Sequence, residues 1–392
     1  MNFLHLLKNE VQDFINSNLN SNISELALKK NSFTEIPYSL VIEQIAAKQK
    51  AKTKLPTWFK TENIIYPSKV SVEQTSSEKT AAYKASLLIG NSLIDLSGGF
   101  GIDDYYFAKN FQKVIHCEIN EVLSKIVAHN YSQLNVSNIQ CISGNSTEIL
   151  KELNQKFDCI YVDPSRRNDV KGKVFMLKDC EPNVPELLDF YFTFSNTIII
   201  KTAPILDIQA GLSELKFVKN IHIVALENEV KELLWEIEFG FSDEISIIPI
   251  NIEKEQFQQS KILISDDSYS KYSLPQNYLY EPNASLLKSG KFESIGNLFN
   301  VNKLHQHSHL FTSENLVDFQ GRRFKIVNSL PFDKETGKNY LLKQKMNVAT
   351  RNFPLKPEDI KKKFKIIDGG TVFAFFTTNI ENQKIVLLCE KI

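Results

Sequence analysis

The chain has 392 residues, 42% of them apolar and 23% charged, an ordinary balance for a soluble globular protein of two or three domains. Its 46 basic and 46 acidic residues cancel, so the total charge points to no anionic partner and only the distribution can. No run of eighteen apolar residues exists, MNFLHLLKNEVQDF gains charge too early for a signal peptide, and the five cysteines are scattered without a CxxC pair. A membrane span, a disulfide framework and a zinc site are therefore not expected; a reduced, cytoplasmic protein without metal is.

Residues 1 to about 75 predict a helical region, because LHLLKNEVQDFI and YSLVIEQIAAKQKAK space their apolar residues as helices do. From about 76 to 250 short apolar runs take over: SLIDL (92–96), KVIHCEI (113–119), IQCIS (139–143), FDCIYVD (157–163), TIIIKT (197–202) and IHIVAL (221–226). Amphipathic stretches such as EVLSKIVAHNYSQL separate them. Strand and helix in alternation predict an α/β fold with a mostly parallel sheet covered by helices on both faces. ELLWEIEF (232–239) reads as an added edge strand. Two small α+β units are expected after it, over 251–320 and 321–392, the second built on VNSLPF, DIKKKFKIID, TVFAFFTT and KIVLLCEKI.

Charge is unevenly placed. Residues 225–256 hold nine acids against Lys231 and Lys254, whereas 321–366 hold thirteen Lys or Arg against four acids. A neutral total thus hides a basic C-terminal module, which is either a solvated lysine face or a polyanion site.

In DLSGGFGIDD, Asp95 to Asp104, a strand ends and Gly98, Gly99 and Gly101 turn the chain into a helix. Glycines let the backbone take positive φ and approach a ligand, and open amides at a helix start favour polar groups. Glu118 follows at the tip of the next strand, spaced to accept both hydroxyls of a ribose, with Ile119 beside it. The alternative is a tight turn and a stray surface acid. A dinucleotide fingerprint would carry a third glycine where Asp103 and Asp104 stand, and acids there suit a cationic ligand without phosphate. S-adenosyl-L-methionine, with its sulfonium and ammonium, is such a ligand. A Walker lysine is absent as well.

At these residues the sequence resembles the class I methyltransferases, which carry DxxGGxG after the first strand and an acid after the second. The resemblance implies a Rossmann-like methyltransferase core with a seven-stranded, mostly parallel sheet. It also implies cofactor contacts from Asp95, Gly98, Gly99, Gly101, Asp103, Glu118, Ile119, Asn145 and Asp163. Asn145 stands where many members have Asp, and its side-chain oxygen could accept an adenine amino group. Asp163-Pro164-Ser165-Arg166-Arg167 is similar to the DPP signature of nucleic-acid methylases, which assigns Asp163, Pro164 and Arg166 to the acceptor side. Ser165 and Arg166 depart from that signature, replacing a proline and a stacking aromatic, and leave the acceptor atom open. Were it a pyrimidine carbon, Cys180 could serve as nucleophile, although lone cysteines are mostly packing residues.

The basic connection from Arg166 to Leu187, with Arg167, Lys171, Lys173 and Lys178, reads as a substrate-covering loop or as a helical excursion. EQTSSEKTAAYKA and KLPTWFK could form a lid, with Trp58 and Phe59 as core. These segments, together with KDCEPN, KTAP, YEPNASLLKSGKF and NVATRNFPL, resemble the bacterial methyltransferases with a THUMP-like C-terminal domain. That resemblance implies a ferredoxin-like unit, a THUMP-like unit and an RNA substrate, tRNA or rRNA. Arg351, Lys361, Lys362, Lys363, Lys365 and Arg167 are the candidate phosphate contacts. A methyltransferase of proteins or small molecules, and a non-catalytic RNA-binding protein on the same fold, are the competing readings; a dehydrogenase is disfavoured by the missing glycine.

Overall fold

The computed structural model describes residues 3–29, 33, 35–166, 176–254 and 256–392, without the side chain of Arg166. Helices α1 (Asn9–Ser17), α2 (Ile23–Ala27), α3 (Tyr38–Lys54), α4 (Pro56–Lys60) and α5 (Lys69–Gln74) lie within residues 1–75, and α6 (Glu78–Ser86) follows before the first strand. Val11, Ile15, Leu26, Val41, Ile42 and Ile45 close one core within this helical region. Ala47, Ala51, Leu55, Trp58, Val72 and Ala81 build a second, which continues onto Phe100, Ile102 and Tyr131 of the following domain. Burying a continuous apolar face is what makes helices this short stable. Trp58 lies in that core, edge-on to Tyr105 at 4.8 Å.

The alternating region contains β1 (Gly90–Asp95), α7 (Ile102–Phe107), β2 (Phe111–Glu118), α8 (Glu121–Gln133), β3 (Ile139–Ser143), α9 (Ser146–Leu153) and β4 (Cys159–Val162). It continues through the two-residue strands β5 (Ser165–Arg166) and β6 (Cys180–Glu181), then α10 (Val184–Phe192), β7 (Thr197–Thr202), α11 (Ile208–Glu214), β8 (Val218–Leu226), β9 (Glu229–Glu238), β10 (Ser246–Glu253), β11 (Gln256–Gln259) and β12 (Ile262–Leu263). The sheet order is β11-β10-β8-β9-β7-β4-β1-β2-β3, with β12 on β10. Strands β3, β2, β1, β4 and β7 run parallel, and β9 lies antiparallel to β7. This is the Rossmann-like α/β core expected from the sequence, extended by β10, β11 and β12. ELLWEIEF is not an edge: β9 sits between β7 and β8, which explains why Leu233, Leu234, Trp235 and Ile237 are all buried. A strand covered on both faces has no need of apolar and polar alternation.

The chain divides into two compact units, residues 1–219 with 233–243, and residues 220–232 with 244–392. The second unit holds a seven-stranded sheet made from β13 (Tyr278–Pro282), α12 (Ala284–Lys288), α13 (Phe292–Leu298), β14 (Asn302–Lys303), β15 (Phe311–Ser313), β16 (Gly321–Pro331), α14 (Lys334–Thr336), β17 (Asn347–Arg351), α15 (Pro357–Phe364), β18 (Val372–Thr378) and β19 (Lys384–Lys391). Its order, β14-β15-β13-β16-β19-β18-β17, runs without interruption across residue 320. Among the described residues, no helix is long and apolar enough to cross a membrane, and no group of His, Cys, Asp or Glu could hold a metal ion.

Candidate active site

The C-terminal ends of β1, β2 and β4 are neighbours in the sheet, and the three motifs singled out in the sequence sit on them. In open parallel sheets this is the end at which ligands bind. The glycine turn after β1 divides its labour. A Cβ at Gly98 would fall within the His116 ring, and one at Gly101 would fall on the Tyr131 hydroxyl, so these two glycines allow close packing against β2 and α8. Gly99 differs: its φ is +55° and its missing side chain would meet nothing nearer than Ser97 O at 3.7 Å. Gly99 therefore leaves its Cα side uncovered, unlike Gly98 and Gly101.

Glu118 closes the turn from β2. Its carboxylate accepts the Gly99 backbone N–H at 2.9 Å and the Asn120 N–H at 2.8 Å. A carboxylate has about four acceptor sites, so two donors leave room for hydroxyls. Ile119, next along, is exposed.

Beneath the turn lies a buried acid cluster. The Ser97 N–H and Oγ–H both donate to Asp95 Oδ1, at 2.7 and 2.9 Å, and His116 Nδ1 lies 2.6 Å from Asp104 Oδ2. Burial pushes Asp95 well above the usual carboxylate range, helped by the charge of Asp104. Burial does the same to Asp104, helped by Asp103, and it pushes His116 down.

Asp103 and Asp104 correct the charge argument made from sequence. Asp104 is fully buried on His116 and does not reach the helix mouth. Asp103 accepts from Ser76 Oγ and Tyr161 Oη, both at 2.9 Å, and pairs with the buried Lys84 ammonium at 3.1 Å. Burial alone would raise Asp103; Lys84, Lys201 and the Ser76 bond outweigh it and hold the carboxyl low. These acids build the base of the turn instead of facing a cationic ligand. Asn145 is also engaged elsewhere, its Oδ1 capping α9 by accepting from Thr147 N–H at 2.9 Å and Glu148 N–H at 3.3 Å. A helix start needs such an acceptor, so that oxygen is not free for an adenine.

At the end of β4, Asp163 N–H donates to Ser97 Oγ at 2.7 Å, which ties the acceptor-side strand to the glycine turn. The Asp163 carboxylate is ion-paired through Oδ2 with Lys201 from β7, and its side chain is about one-third exposed. Pro164 is buried behind it. Ser165–Arg166 pairs antiparallel with Cys180–Glu181, fastening both ends of the connection that follows. Arg167, Lys171 and Lys173 of that connection lie outside the described residues, as does the Arg166 side chain. Cys180 is fully buried, its Sγ directed to Met176 O at 3.8 Å, which is the setting of a packing residue and not of an attacking thiolate.

Sequence reasoning missed Lys84, Lys201, Ser97 and His116. The signal for Lys201 was a lysine inside the apolar run TIIIKT, where a charge is costly unless paired. Lys84 carried no signal, since one lysine in an amphipathic helix reads as solvated.

In the second unit the basic candidates separate. Arg351 and Arg322 both pair with the buried Glu281, and Arg351 also donates to Thr350 O at 2.7 Å. Lys361 pairs with Asp368 at 2.7 Å, and Lys363 lies 5.2 Å from the ring centres of both Phe332 and Phe364. Lys362 and Lys365 are exposed, the latter at the left-handed C-terminus of α15.

Residues 278–319 match a family model described as a ferredoxin-like domain, and residues 321–391 match one described as THUMP domain-like. Fold and matched domains together define the class: a Rossmann-like α/β core followed in sequence by ferredoxin-like and THUMP-like units. Over its whole length the chain is similar to a proposed methyltransferase from Porphyromonas gingivalis W83, at a TM-score of 0.89 and 28% identity, covering 100% of this chain and 99% of that one. Partial likenesses are far weaker. TrmK of M. capricolum in complex with S-adenosyl-homocysteine gives a TM-score of 0.32 at 17% identity over 41% of this chain and 69% of that one. The M. jannaschii tRNA m1G37 methyltransferase gives 0.31 at 13% over 42% and 50%. Scores this low carry no functional weight. No curated protein matches the sequence.

Proposed function

We propose that this protein is an S-adenosyl-L-methionine-dependent methyltransferase acting on a base nitrogen in structured RNA, a tRNA or an rRNA. The observation that carries the reading is the convergence of Gly99, Glu118 and Asp163 on the ends of three adjacent strands, joined by the Ser97 bridge. The residues suit the cofactor: Gly99 leaves its backbone accessible, and Glu118 keeps acceptor capacity for ribose hydroxyls. The cofactor would supply an electrophilic methyl group on its sulfonium. The chain's own part is positioning. Asp163 can accept a hydrogen bond from the acceptor amine and aim its lone pair, and it can stabilise the positive charge that grows on nitrogen.

RNA as the substrate class rests on the THUMP-like match and on exposed lysines such as Lys362 and Lys365. The buried Cys180 favours nitrogen over a pyrimidine carbon. Titration calorimetry tests the cofactor assignment. S-adenosyl-L-methionine should bind, and Glu118→Ala should weaken binding by about 1–3 kcal/mol, the size of lost hydrogen bonds to a charged group. Equal affinity in the variant, or tighter binding of a nicotinamide dinucleotide, would overturn it.

A further inference from the structure

No sequence motif gives Lys201 a role, yet its surroundings suggest one. It lies near the end of β7, next to β4 in the sheet, on a strand whose other central residues, Ile198, Ile199 and Ile200, are buried and apolar. Its side chain is 13% exposed, and its ammonium pairs with Oδ2 of Asp163. A lysine loses considerable hydration and rotamer freedom in such a place, so the pair must fix geometry if it is to serve a purpose. Lys201 also lies near enough for its charge to help hold the Asp103 carboxyl low. Asp103 is itself anchored by Lys84, Ser76 and Tyr161. Two ion pairs, Lys84 with Asp103 and Lys201 with Asp163, thus stand between the base of the glycine turn and the acceptor side. Asp163 is held at two points: its backbone N–H by Ser97 and its Oδ2 by Lys201. Among the described residues, Oδ1 takes no hydrogen bond, and the partly exposed side chain leaves it open to an incoming donor.

We propose that Lys201 is a positioning residue for methyl transfer: it pins one oxygen of Asp163 and so presents the other to the acceptor nitrogen. This rests on the methyltransferase reading above. A carboxylate free to rotate about its side-chain torsions would offer the acceptor many hydrogen-bond directions, and in-line transfer uses a narrow range of them. Lys201 acts through Asp163 and need not touch the substrate.

The test uses the full-length protein, tritiated S-adenosyl-L-methionine, and total RNA from cells that lack this gene. Wild type, Lys201→Met and Lys201→Arg are compared for turnover, for the KM of each substrate, and for cofactor affinity by calorimetry. Lys201→Met keeps the length and the apolar stem while removing the charge, and it should lower kcat by about tenfold to a hundredfold, the cost of a misplaced reacting group. Cofactor Kd should stay within about twofold, because the lost interaction acts at the transition state. Lys201→Arg, which retains an ion pair, should recover much of the loss. A Lys201→Met enzyme with wild-type kcat would overturn the proposal while leaving the methyltransferase reading intact. So would a loss that appears wholly in cofactor Kd. A wild-type protein that neither binds the cofactor nor transfers label would instead reject the reading, and the proposal with it. If Lys201→Met fails to fold, the arginine variant decides: with the ion pair kept and the fold intact, a turnover as low as that of Asp163→Asn would contradict the positioning role.

Discussion

The two units of the chain use charge in opposite ways. In the first unit Lys84 pairs with Asp103 beneath the glycine turn and Lys201 with Asp163 at the strand ends, and both ammonium groups are largely withdrawn from water. In the second, thirteen basic residues crowd residues 321–366, yet several are engaged within the unit: Arg322 and Arg351 by Glu281, Lys361 by Asp368, Lys363 over two aromatic rings. Density of charge along a sequence therefore does not mark a site. Buried pairing alone does not mark one either, since Glu281 is buried on two arginines; what distinguishes the first unit is that the Lys201–Asp163 pair stands at the C-terminal end of the parallel strands.

The sharpest way to break this contrast is at Asp163. Asp163→Asn should lower turnover by about a hundredfold or more, the usual cost of losing a group that positions the acceptor and stabilises its developing charge, with cofactor affinity unchanged. Radiolabel transfer and calorimetry on the same preparation would check it, and full activity in a folded variant would reduce the DPSR segment to a strand end.

The buried pair under the turn is read in stability instead of turnover. Lys84→Met leaves Asp103 without its closest cation and should cost about 3–5 kcal/mol in chemical denaturation. The pH dependence has a definite sign. Asp103 is held below its unfolded value, so its contribution is present above the unfolded carboxylate range and is lost as pH falls through the lower folded value. The stability gap between wild type and Lys84→Met should therefore narrow in acid. A gap that widens would contradict the pairing.

The glycines give a smaller, graded comparison. Gly98→Ala forces a methyl into the His116 ring and should destabilise by about 1–3 kcal/mol, the usual cost of overpacking. Gly99→Ala meets only an ordinary contact with Ser97 O at 3.7 Å and should cost about 1–2 kcal/mol, from its left-handed φ. Cofactor affinity should show the reverse order, since Gly99 is the accessible position. Equal effects at both sites would blur the division of labour in the turn.

How much of this could be read beforehand follows from the range of the interactions involved. The glycine turn, Glu118 and Asp163 were legible because each depends on local needs: positive φ, an acid at a strand tip, a proline after it. The alternation of apolar runs likewise gave the α/β core. What stayed hidden depends on partners distant in sequence. Asp103 and Lys84 are nineteen residues apart and meet only when α6 packs beside α7; Lys201 and Asp163 lie on neighbouring strands 38 residues apart. Asp103 and Asp104 read as an acidic helix mouth because nothing nearby in the sequence shows that both turn inward. Arg351 read as a phosphate contact for the same reason, its partner Glu281 lying 70 residues away.

The smallest effects separate binding from packing in the second unit. Lys362→Ala with Lys365→Ala should leave melting unchanged and reduce the salt dependence of RNA affinity by about one phosphate contact per lysine. Arg351→Ala should do the opposite, lowering stability by about 1–3 kcal/mol through Glu281, with little change in the salt slope. Filter binding across a salt series, beside thermal melts, would distinguish them. Matching salt slopes for both variants would make Arg351 a contact residue after all.

Methylation of an RNA base, as proposed, would be read in cells by nucleoside mass spectrometry. RNA from cells lacking the gene should be missing one base-methylated nucleoside that wild-type cells contain. Returning the wild-type gene should restore that nucleoside, and returning Asp163→Asn should not. Identical nucleoside profiles with and without the gene would contradict the assignment.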